Sequence, residues 1–141
     1  MNALIVDDSA MMRRMQQKAL EALGYVVRVA KDGHEALQVL QTMSACDLVL
    51  TDWHMPELDG LGLVRAIRSE PRYAKLRVIM VTSDADMGAI QLALDAGVDD
   101  FRPVGDEVAR AGRDVEHLLV TIERLDLHDP EACCALDRCR R

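Results

Sequence analysis

Two aspartates, Asp7 and Asp8, stand directly after the apolar run Ala3 to Val6, and a third, Asp52, directly follows Leu48 to Thr51. Thr82 and Ser83 follow Val78 to Val81, and Arg102 follows Phe101. Runs of this length are strand-like, and in an open parallel sheet ligands bind beyond the carboxyl ends of the strands. The sequence therefore predicts that these polar residues converge. Three carboxylates brought together repel one another and raise each other's pKa unless a cation intervenes. The candidate ligands are oxygens, with His54 the one nitrogen ligand nearby, so the ion they suit is a hard one, Mg²⁺ rather than Zn²⁺. A carboxylate beside such an ion is a nucleophile toward phosphorus. Asp52 takes that part here, with the Thr82 hydroxyl donating to one phosphoryl oxygen and the Arg102 cation pairing with another.

Positioning these residues requires strands that end where they stand. The strand-like runs are Ala3 to Val6, Tyr25 to Ala30, Leu48 to Thr51, Val78 to Val81, and a remnant at Phe101. Between them, apolar residues recur at helical spacing: Met12, Met15, Ala19 and Leu23 before Gly24; Ala36, Val39, Leu40 and Met43 after a turn at Asp32-Gly33; Leu63, Val64 and Ile67; Ile90, Ala93 and Leu94 before Gly97. The segment Met55 to Gly60 reads as loop, because Pro56 and Gly60 interrupt both periodicities. Val108, Ala111, Val115, Leu118, Leu119, Ile122 and Leu125 mark a fifth and longest amphipathic helix. Such alternation predicts an α/β, doubly wound, five-stranded parallel sheet with five helices and a truncated fifth strand. One domain is expected over residues 1–125, and a flexible C-terminal tail over 126–141.

Composition removes several function classes. The 141 residues are 50% hydrophobic and 29% charged with four prolines, which is globular and neither collagenous nor disordered. Aromatics are 3% and the net charge is -7, so neither a base-stacking platform nor a phosphate-backbone groove is expected, and nucleic acid is excluded as a partner. No apolar run is long enough to cross a bilayer and Met1 to Asp8 lacks a secretory pattern, so no membrane association and a cytoplasmic location are expected. Cys46 stands alone while Cys133, Cys134 and Cys139 crowd the end, which makes a disulfide framework improbable. Their spacing from His128 fits no standard zinc knuckle.

Asp7-Asp8, Asp52-Trp53-His54-Met55-Pro56-Glu57-Leu58-Asp59-Gly60, Val81-Thr82-Ser83 and Ala96-Gly97-Val98-Asp99-Asp100-Phe101 together resemble the receiver domain of two-component response regulators. The resemblance runs from about residue 3 to about residue 125. It is strongest to the stand-alone, chemotaxis-type receivers, because Ser9-Ala10-Met11-Met12-Arg13-Arg14 is similar to their first helix, and no output domain is expected. It implies a flavodoxin-like strand order of 2-1-3-4-5. It further implies that Asp52 accepts phosphate from a sensor histidine kinase or phosphotransfer protein. Mg²⁺ would be held by Asp7, Asp8, Asp52 and the backbone carbonyl of His54. Thr82 and Phe101 would move on phosphorylation and remodel a face, made by the fourth helix, fifth strand and fifth helix, that meets a downstream protein target.

Two departures stand out. The family has two more apolar residues after the aromatic and then Lys-Pro, whereas here Phe101 is followed at once by Arg102-Pro103. Arginine is a planar fork rather than an ammonium point charge, so phosphoryl transfer and its coupling to the output face are separable. A phosphorylation-independent interaction or dimerisation module is therefore the main rival, with a homodimer expected through the same face. As a surface residue, Arg102 would instead pair with Asp99 or Asp106. A phosphohydrolase is disfavoured, because Asp7-Asp8 is not the Asp-x-Asp spacing that class needs and no cap domain is present. The protein is expected to be a signalling phosphoacceptor and not an enzyme acting on an external substrate.

Overall fold

The structure, a computed structural model, describes residues 1–82 and 86–103. The predicted fifth helix, the tail from 126, Ser83, Asp106, His128 and the three late cysteines lie outside the described residues. Five parallel strands, β1 (Asn2–Val6), β2 (Val26–Ala30), β3 (Leu48–Thr51), β4 (Arg77–Thr82) and β5 (Asp100–Pro103), form one sheet in the order β2-β1-β3-β4-β5. Four helices connect them: α1 (Ala10–Ala22), α2 (Gly33–Thr42), α3 (Gly60–Ser69) and α4 (Met87–Ala96), with a single 3-10 turn at Pro71–Tyr73. This is the flavodoxin-like order expected. β5 has four residues, two fewer than β4, and pairs along Ile79 to Thr82.

β1, β3 and β4 read as nearly unbroken apolar runs because both faces of the sheet are covered. Leu4, Val6, Val49, Val78, Met80 and Phe101 pack with α2, α3 and α4 on one face. Ala3, Ile5, Leu48, Leu50, Ile79 and Val81 pack with Leu20 of α1 on the other. The edge strand β2 exposes Val26 and Val29. The α1 stripe is rotated from its predicted position, with Gln16, Ala19 and Leu20 fully buried and Met12, Met15 and Leu23 only half-buried. In α4, Ala89 and Ala93 face the sheet and Leu94 is 36% exposed, because small residues let that helix lie close.

Helix starts are set by side-chain caps. Ser9, Asp32, Asp59 and Asp86 each accept a hydrogen bond from the amide three residues on. Gly33 and Gly60, read from sequence as turn and loop, are instead the first residues of α2 and α3, since the preceding aspartates supply the caps. Gly97 closes α4 in the left-handed region with φ 109°, where a side chain would be strained and would also meet Arg68. Arg68 itself reaches out of α3 to donate to the carbonyls of Gly97 (2.9 Å), Tyr73 (3.2 Å) and Leu76 (2.8 Å), binding the connections on either side of β4 to the helix layer.

Candidate functional site

The sheet ends so that its polar residues emerge together. Asp7 leaves β1 with its amide donating to the Ala30 carbonyl at 3.2 Å, and Asp52 leaves β3 with its amide donating to the Val6 carbonyl at 2.9 Å. One oxygen from each of Asp7, Asp8 and Asp52 lies within 4.8 Å of the others. Their environments differ: Asp7 is buried, Asp52 half-buried and Asp8 exposed.

Asp7, the buried member, is the most perturbed. Its carboxyl is pushed up to about 7, first by burial and then by the charges of Asp52 and Asp8, against the pull of a 2.8 Å hydrogen bond from the Ser9 amide. Burial also raises Asp52, chiefly opposed by hydrogen bonds from the Trp53 amide at 2.7 Å and from the Thr82 hydroxyl. Thr82, at the end of β4, is buried and so aims its one donor at the Asp52 carboxylate. The cap of α4 is Asp86, which leaves the Thr82 hydroxyl to the site. His54 is exposed, its ring stacked on Trp53 at 6.2 Å between centroids, and its charge acts on Asp52. A crowd of carboxylates in which one acid has to keep a proton near neutral pH is a donor set suited to a hard divalent ion.

The loop after Asp52 is held against the acceptor by its glycine. The Gly60 amide donates to the Trp53 carbonyl at 2.8 Å, and a side chain at Gly60 would collide with the Asp52 carbonyl. Glu57 turns the loop with φ 68°, an unusual conformation for a residue that is not glycine. Met55 is buried in the core beneath it. Sequence reasoning missed Arg13, whose guanidinium donates to the Asp7 carbonyl at 2.6 Å from the first turn of α1. A cation one turn into the helix after an acidic pair was the available signal.

Arg102 is placed differently. Its Nη2 lies 2.8 Å from the Asp100 carboxylate, while Asp99 pairs with Arg68, and its buried Nε has no hydrogen-bond partner among the described residues. Arg102 pairs in register with Val81, and Asp100 with Ile79, so both side chains share the face of those residues. Thr82 and Phe101 belong to the opposite face.

The family described as the response regulator receiver domain matches residues 3–102. The chemotaxis protein CheY1 of Helicobacter pylori is 39% identical over 102 residues, 72% of this chain and 82% of that one. The gliding motility regulatory protein of Myxococcus xanthus is 38% identical over 125 residues, 89% of this chain and 15% of that much longer one. Among solved structures, the chemotaxis protein CheY4 of Vibrio cholerae superposes with a TM-score of 0.76 at 29% identity, covering 88% of this chain and 97% of that one. No helix among the described residues is long and apolar enough to cross a membrane.

Proposed function

This chain belongs to the response regulator receiver family, whose members are phosphoacceptor signalling proteins, and from that premise we propose that it is a switch phosphorylated on Asp52 by a histidine kinase or phosphotransfer protein. One observation carries the reading: the Asp52 carboxylate is grouped with Asp7 and Asp8 within 4.8 Å while accepting the Thr82 hydroxyl. A carboxylate oxygen of Asp52 bonds to phosphorus as the bond from phosphorus to the donor imidazole nitrogen breaks, and that nitrogen keeps the electron pair. The Thr82 hydroxyl, already directed at this carboxylate, then donates to a phosphoryl oxygen. Asp7, Asp8, Asp52 and the backbone carbonyl of His54 are the residues that would hold Mg²⁺. When bound, that ion supplies neutralisation of charge on the transferred group. His54, exposed two residues beyond the acceptor, tunes access of water to the acyl phosphate.

The reading assigns the receiver domain to residues 1–125 and a tail to 126–141, in the cytoplasm, with a downstream protein target and neither nucleic acid nor membrane as partner. Incubation with a small phosphodonor and Mg²⁺ followed by intact mass tests it. The wild type gains one phosphoryl group, and Asp52→Asn gains none. Labelling of Asp52→Asn at Asp7, Asp8 or a histidine overturns the assignment.

The 2.8 Å contact of Arg102 with Asp100 favours a second reading, in which the output face is uncoupled from phosphorylation and the fold serves as an interaction or dimerisation module. The two differ in what Arg102 does once Asp52 carries a phosphoryl dianion. If the dianion outcompetes Asp100, Arg102 completes the switch; if the ion pair persists, the face is constitutive.

A further inference from the structure

At the amino ends of the strands, across the sheet from the aspartates, lies a cleft of about 490 Å³. Leu40 and Met43 of α2 and its exit, with Leu76 before β4, provide apolar wall. Arg72, Lys75 and Arg77 also line it, three cations against the single carboxylate of Asp47, in a chain whose net charge is -7. Asp47 is already engaged, accepting from the Asn2 amide at 2.7 Å. Lys75 and Arg77 form no ion pair among the described residues, and Arg72, whose guanidinium lies 4.6 Å over the Tyr73 ring, has only a 3.5 Å contact with the exposed Glu70 carboxylate.

Tyr73 adds its ring to the wall. A lining in which cations outnumber carboxylates beside an apolar wall calls for an anion on a hydrophobic body.

We propose that this cleft binds a small organic anion, a carboxylate or phosphate monoester on an apolar group, held by Arg72, Lys75 and Arg77, with Leu40, Met43 and Leu76 enclosing its apolar part. The site is separate from the phosphoacceptor pocket, so it stands or falls independently of Asp52 chemistry.

The test titrates the full chain with 2-naphthoate and with 2-naphthyl phosphate, following backbone amide shifts, with 2-naphthamide and inorganic phosphate as controls. Saturable shifts confined to residues 43–47 and 72–77 are expected, and the stronger of the two probes identifies the head group. Arg72→Gln combined with Lys75→Gln, both at exposed positions, weakens binding about tenfold, the worth of one charge-assisted contact. Ala45→Phe, which fills the cleft from its exposed rim without changing charge, abolishes it. Shifts centred on Asp7, Asp8 or Asp52, equal binding of the naphthamide or of inorganic phosphate, or binding unchanged in both variants overturns the proposal.

Discussion

Arg68 in α3 and Asp99 before β5 meet at 2.8 Å, and the same Asp99 oxygen accepts the amide of Val78 at 2.8 Å. One carboxylate thus fastens the start of β4 to the helix layer while the guanidinium saturates three carbonyls around it. The side chains are 21% and 33% exposed, so the pair is neither a solvated surface contact nor a fully desolvated one.

Removing the guanidinium takes one donor from each of those acceptors, although Asp99 keeps the Val78 amide and the Tyr73 carbonyl keeps the Leu76 amide. Arg68→Met is expected to lower stability by about 2–4 kcal/mol, between the values for exposed and buried pairs. Urea unfolding measures this, and a change within about 0.5 kcal/mol, the scale of an ordinary surface substitution, would show that water replaces the network without loss.

The Asp7 carboxyl, pushed up to about 7 by burial and its acidic neighbours, sets a pH dependence for the metal-free protein. Its folded pKa exceeds the ordinary value of 3.8, so between those limits the native state holds a proton that the unfolded chain has released. The contribution is fully present below pH 3.8 and is lost as pH rises toward 7. Asp7→Asn retains an acceptor for the Ser9 amide and removes the charge. In a chelator it should be more stable than the wild type by on the order of 1–3 kcal/mol at pH 8. That gap should narrow at pH 5, and a gap that is constant across this range would refute the linkage.

Mg²⁺ and that proton compete for one site. Apparent Mg²⁺ affinity should therefore fall below pH 7, approaching about tenfold per pH unit for one displaced proton. Asp8→Ala should remove binding by leaving too few anionic oxygens to dehydrate the ion. Isothermal titration reads both, and an unchanged isotherm in the variant would exclude this pocket.

Arg102→Ala separates the two readings of the output face. Acyl phosphate should form at Asp52 as in the wild type, since Arg102 is engaged with Asp100. A homodimer built on α4 and β5 should tighten on phosphorylation in the wild type and not in the variant. Sedimentation decides: a monomer under both conditions removes the dimer, and equal dimerisation in both favours the phosphorylation-independent module.

The sequence alone located the strand ends, and with them Asp7, Asp8, Asp52 and Thr82, because an apolar run and the polar residue that stops it are neighbours in the chain. Parallel pairing then aligns those ends whatever the side chains are. Helix caps were less legible. Asp32 and Asp59 look like turn residues until their carboxylates are seen accepting from Glu35 and Gly62, which moves Gly33 and Gly60 into helices. Arg102 could not be assigned from sequence, since Asp99, Asp100 and Asp106 are all close along the chain. Register opposite Val81 turns its side chain to the face of Asp100, while Asp99 is drawn to an arginine of α3. The burial that separates Asp7 from Asp8, and the cationic cleft assembled from the entries to β3 and β4, likewise depend on segments distant in sequence. Periodicity is a local property and shows where an element ends; the partner a charge finds there is decided by packing.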